Sequence, residues 1–145
     1  VVDLYKVFGL DYIRILCHYI NMKNAMEKDM DFENALTELH RWIVADFARK
    51  YPEDGDQTRV IEFAESIEFE EGRKYIKVTK KLGNQTMVWG FIVKEDQPVK
   101  EGKHTFKAGD MLKAASWSAP ARNRPRGNIL QGDFSWVRWT GPEYL

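Results

Sequence analysis

The apolar residues of this chain change their period once, and that change limits what it can fold into. Between residues 31 and 50, Phe32, Ala35, Leu36, Leu39, Trp42, Ile43 and Phe47 recur at steps of three and four. That spacing lays them along one stripe of an α-helix, which has to be covered. From about residue 67 the step becomes two. Over residues 75–79, Ile76 and Val78 fall on one side and Tyr75 and Lys77 on the other, as in a half-buried strand. A striped helix and a one-faced sheet can cover each other. The expected fold is therefore α+β: N-terminal helices packed on a small, mostly antiparallel sheet of about five strands, open or closed into a small barrel. A length of 145 residues with 43% hydrophobic content suits a single domain over 1–145, mainly helical over 1–56 and mainly β over 57–145.

Local signals set the expected boundaries. Asp31 is placed to cap the helix, Arg49 and Lys50 suit the dipole of its last turn, and Pro52 and Gly55 end it. A less regular helix is expected over 10–28, with Ile13, Leu16, Cys17, Ile20 and Met26 as buried candidates, and 1–8 is apolar and ambiguous. Strands are expected at 67–69, 75–79, 86–93, 111–116 and 134–139. Turns are expected at 70–72, at Gly83-Asn84 and at Gly109-Asp110. Residues 86–93 are apolar on both faces and read as a central strand. The segment 94–105 reads as an exposed loop and 118–132 as irregular.

Net charge is zero, but residues 1–72 carry 8 Lys+Arg against 16 Asp+Glu, and residues 73–145 carry 14 against 6. A basic half can attract a polyanion, or the two halves can neutralise each other on folding. The basic half has one conspicuous cluster, Arg122, Arg124 and Arg126, spaced by two. In an extended chain they project to one side, and Pro125 biases Arg124 towards extension. Arginine forks suit phosphate, and Trp117, Trp136 and Trp139 could offer faces for bases. Lys113 and Arg138 flank the same region. As an ordinary surface loop, these arginines would instead pair with the acidic half and the tryptophans would be core.

Other chemistry finds little support. Asp54, Asp56, Thr58 and Glu65 fit part of a calcium-loop count, but Arg59 stands where that loop requires glycine. The stretch 54–65 therefore reads as a solvated connection between helix and strand. His18, His40 and His104 lack metal-ligand spacing, and His18 and His40 read as polar groups at a core edge. Glu68 and Glu70 lie two apart on an expected strand, facing solvent. No phosphate-loop or nucleophile-elbow motif occurs, no cofactor is implied, and one cysteine, Cys17, excludes an internal disulfide. No apolar run is long enough for a membrane span, and no secretory leader is expected.

Three segments carry a resemblance: Gly72-Arg-Lys-Tyr-Ile-Lys-Val78; Gly109-Asp-Met-Leu-Lys-Ala-Ala-Ser-Trp-Ser-Ala-Pro-Ala121 with Arg126-Gly-Asn128; and Ser135-Trp-Val-Arg-Trp-Thr-Gly-Pro-Glu-Tyr-Leu145. Through them the C-terminal half resembles a group of small proteins of tailed and marine bacteriophages. The resemblance implies a phage origin and a cytoplasmic location in an infected bacterial host. It brings no activity, cofactor or catalytic residue.

Three functions stay open. The first is a non-catalytic module binding nucleic acid or another polyanion through Lys113, Trp117, Arg122, Arg124, Arg126, Arg138 and Trp139. The second is a protein–protein module, a virion component or host-protein inhibitor, drawn to an acidic surface. The third is an enzyme of a type no motif marks.

Overall fold

The computed structural model of the chain describes residues 31–98 and 104–144. The expected helix over 10–28 and the stretch 1–8, with Cys17 and His18, lie outside the described residues.

The three-and-four spacing forms α1, Phe32–Ala48. Asp31 caps it, its carboxylate accepting from the Asn34 amide at 2.9 Å. Ala35, Leu39, Ile43, Val44, Phe47 and Ala48 are its buried stripe. The helix stops at Ala48, so Arg49 and Lys50 follow it instead of occupying its last turn.

The acidic stretch after it is not a plain connection. It folds as α2, Thr58–Ser66. Asp56 accepts from the Thr58 amide at 2.9 Å and closes the turn that enters it. Val60, Phe63 and Ala64 are buried at helical spacing, and Phe63 stacks on Phe47 with ring centroids 4.1 Å apart. His40 sits at the α1–α2 border, with Nε2 2.8 Å from the Ala64 carbonyl.

Five strands follow: β1 Glu68–Glu71, β2 Tyr75–Leu82, β3 Gln85–Val93, β4 Asp110–Leu112 and β5 Gly127–Asn128. They pair in chain order, each antiparallel to the next. Glu68 and Glu70 on β1 are exposed. β1 and β5 are separate edges, so the sheet is open and the barrel is not formed. The expected interior strand is β3. Trp89 and Ile92 enter the core beneath the helices, while Val93 joins Tyr75, Phe106 and Leu112 on the far face. The β2–β3 reversal is at Gly83-Asn84, where Gly83 takes φ +60. Between Val78 and Thr79 the β3 partner jumps from Gly90 to Val88, which makes Trp89 the extra residue of a bulge. Its indole N–H donates to the Arg138 carbonyl at 2.8 Å. That bond pins a separate ribbon, β6 Val137–Arg138 with β7 Gly141–Pro142, against the sheet.

Several expected boundaries move. β1 runs through Glu71, so the reversal falls at 72–74. The strand expected over 111–116 ends at Leu112 because Lys113 O accepts from the Ala121 amide at 2.8 Å and the chain doubles back. The irregular stretch 118–132 holds β5 and a one-turn 3₁₀ helix, Ile129–Gln131. Only Val137–Arg138 of 134–139 is strand, because Asp133 accepts from the Ser135 amide at 3.0 Å and turns the chain first.

One core joins the two halves: α1 packs on β6 and the 3₁₀ turn, and α2 packs on β2. Trp42 is half-buried, stacked on Phe134 at 6.2 Å, with its indole N–H donating to Glu38 Oε1 at 2.9 Å. Trp42→Ala should cost about 2–3 kcal/mol, somewhat less than a fully buried tryptophan. Urea denaturation monitored by circular dichroism measures it, and a loss under about 0.5 kcal/mol would deny that α1 and the C-terminal segment share a core. Among the described residues no helix is long and apolar enough to cross a membrane.

Candidate polyanion interface

The sequence-marked cations lie on and around a hairpin arm. After β4, residues 113–121 fold back on themselves, with Ala114 bridged to Pro120. The arm lies over the far face of the sheet and reaches from β4 to β2. Trp117, at its tip, is 55% exposed, and Lys77 Nζ of β2 sits 3.6 Å from its ring centroid. Just past the arm, the Arg122 guanidinium donates to the Tyr75 hydroxyl and to Gln97 Oε1 (2.9 Å), and lies 4.9 Å from the Phe106 ring.

Arg126 is held elsewhere. Its backbone amide donates to Met111 O, and its side chain to the carbonyls of Glu143 (2.9 Å) and Arg124 (3.1 Å). Arg124 is exposed. Arg138 is also exposed, and pairs with the Glu143 carboxylate and donates to Ser135 O. Trp136 is core. The structure thus brings Arg126 and Lys113 together beside Glu143 and Tyr144, and anchors Arg122 and Trp117 over β2. Among the described residues, no carboxylate lies within 4 Å of the Arg122, Arg124 or Arg126 guanidinium.

Around Lys113 the cations form a connected row. Lys80 is on β2, two and four residues past Val78 and Ile76, so it shares their core-facing side. It is 4% exposed, and Nζ donates to the carbonyls of Trp139 (2.9 Å) and Thr140 (3.1 Å) in the β6–β7 turn. Lys80 and Lys50 lie 4.8 and 3.8 Å from the Trp139 ring centroid. Lys113 Nζ lies 3.7 Å from the ring centroid of Tyr144, which is 87% exposed. Burial, then the charges of Lys113 and Lys50, pushes Lys80 down to about 8. Lys113 is lowered as well, by burial and then by Arg126. Each link is a repulsion that an added anion would relieve.

These contacts complete the row Lys50–Lys80–Lys113–Arg126, faced by Trp139 and Tyr144. A model of the family of unknown function DUF7717 matches residues 16–142. The chain belongs to that family. No curated protein and no solved structure matches it.

In this DUF7717 member, Lys50, Lys80 and Tyr144 join the row although the sequence reading did not select them. Lys80 had a signal: a cation in step with Ile76 and Val78 on an apolar face. Lys50 had none beyond its place after α1, and Tyr144 none at all.

Proposed function

We propose that the chain is a non-catalytic binding module for a polyanion, nucleic acid foremost. The observation that carries this reading is the row Lys50–Lys80–Lys113–Arg126, in which no cation has a carboxylate within 4 Å among the described residues. Two of its members share the Trp139 ring and a third faces Tyr144. Cations supply the affinity for phosphates, and the exposed Tyr144 ring supplies a stacking face for an unpaired base. An acidic protein surface would use the cations alone. The phage resemblance of the C-terminal half would set this binding in the cytoplasm of an infected bacterium.

The test is fluorescence anisotropy with a single-stranded oligonucleotide and with poly-glutamate, over a range of salt. The wild type should bind the oligonucleotide more tightly, with affinity falling steeply as salt rises. Lys50→Gln, Lys113→Gln and Arg126→Gln combined should weaken binding and flatten the salt slope by about two units. Equal affinity for the two ligands would favour the acidic-protein reading. Absence of oligonucleotide binding at low salt would remove the proposal.

A further inference from the structure

Beyond the cation row, a second basic feature lies on the other side of the arm. A cavity of about 490 Å³ opens where β2 begins and β3 ends, lined by Arg73, Lys74, Lys94, Gln97 and Arg122 together with Glu95 and Asp96. Its size is that of a small-molecule pocket, too small for a duplex. The charges inside it are unequally engaged. Lys94 is tied to Glu71 at 2.7 Å and to Gly72 O at 3.0 Å. Asp96 is turned to the Ala108 amide at 2.9 Å and to Lys107 at 3.7 Å. Arg73, Lys74 and Arg122 have no carboxylate within 4 Å among the described residues.

Arg122 is the ordered member of the set. The Tyr75 hydroxyl and Gln97 Oε1 each take one of its N–H groups, and its plane is held near Phe106. Three of its five N–H groups have no acceptor among the described residues. A guanidinium fixed by neutral partners keeps its full charge and its fork for a ligand. Arg73 and Lys74 are exposed at the rim, able to close on an anion from the other side.

We propose that this cavity binds a phosphate monoester, with Arg122 as its fixed fork and Arg73 and Lys74 as its rim. A phosphate monoester has the dianionic charge and the three terminal oxygens to serve three cations at once, which a carboxylate lacks. Two sources share that chemistry: a free nucleoside monophosphate, and the terminal phosphate of a nucleic-acid strand.

Isothermal titration with adenosine 5′-monophosphate and with adenosine tests the site, alongside one short oligonucleotide carrying either a 5′-phosphate or a 5′-hydroxyl. The monophosphate should bind and adenosine should not. Arg122→Gln should weaken the monophosphate about tenfold or more, the loss expected for a charged hydrogen-bonding partner. Arg73→Ala with Lys74→Ala, both exposed, should weaken it without altering thermal stability. The variant lacking Lys50, Lys113 and Arg126 charges should bind it as the wild type does, which separates this site from the cation row. A 5′-phosphate preference lost in Arg122→Gln would assign the strand end, and monophosphate binding without that preference would assign the free nucleotide. The proposal is overturned if the monophosphate does not bind at low salt and the 5′-phosphate confers no advantage, or if binding survives both variants unchanged.

Discussion

Gly127→Ala should destabilise the fold by about 3 kcal/mol or more, the upper range for overpacking a core. The cause is a single contact. A Cβ built on Gly127 would stand 2.1 Å from Trp136 Nε1 and 2.3 Å from its Cε2. Real carbons do not approach so closely, so either β5 or the indole has to move. Neither moves cheaply. Trp136 is buried, donates its indole N–H to Asp133 O at 2.8 Å, and packs against Phe134 and Trp89. β5 is held through Asn128, whose side chain donates to Ala108 O and Asp110 Oδ1 and accepts from the Leu130 amide. Thermal denaturation of the variant checks this, and a melting temperature within a degree of wild type would mean the indole has another home.

The second large effect is on pH dependence. Stability should rise between pH 8 and 10.5, where many proteins lose it. An unfolded lysine keeps its proton to about 10.5, whereas buried Lys80 gives it up near 8. Between those values the unfolded state binds more protons, so raising the pH favours the folded state. Below pH 8 both states are protonated, and the folded state carries the whole cost of the buried charge. The gain across the window should be about 2 kcal/mol once solvent screening is allowed for. Lys80→Met should flatten most of the rise, leaving the smaller contribution of Lys113, which has the same sign. A polyanion bound over the row would favour the charged ammonium, so oligonucleotide affinity should fall more steeply as pH passes 8 in the wild type than in Lys80→Met, where Lys113 alone contributes. Urea denaturation at half-unit pH steps reads the stability, and a wild-type curve flat from 8 to 10 would show that Lys80 titrates normally.

Much of the architecture was legible because it repeats a period. Seven apolar residues mark α1, and two-step alternation marks β2 and the double-faced β3. α2 was harder: Val60, Phe63 and Ala64 sit among Arg59, Glu62 and Glu65, and nine residues give the period little room. The two-residue strand β5 is defined by β4, more than fifteen residues away, and β6 and β7 pair with each other over two residues each, too short for a period to show. Distant partners also explain the split of the arginines. Spacing by two brings side chains together only in an extended segment. Here the Arg126 backbone is bonded to Met111 while the Arg122 side chain is bonded to Tyr75, and the intervening turn sends them apart. The cation row joins residues from α1's end, β2, β4's end and β5's approach, a grouping that exists only once the sheet and ribbon have closed.

The bond from the Trp139 amide to Asp46 Oδ2, at 2.8 Å, joins positions 93 residues apart. Its neighbours tell the same story: Phe47 meets the Trp139 ring edge-on, and Trp42 meets Phe134. On the ribosome, the apolar side of α1 is made early and the part of its cover supplied by Phe134, β6 and Trp139 is made late. At about 5–20 residues per second, roughly 5 to 20 seconds pass before residue 139 is even polymerised. For that interval the newborn helix has α2 against it but lacks the C-terminal part of its native cover. Contacts this distant also make the search for the native state slow once the chain is complete. Cotranslational folding can thus build the helices and the β2–β3 hairpin, but the cation row is assembled last, after synthesis has passed the turn that carries Trp139.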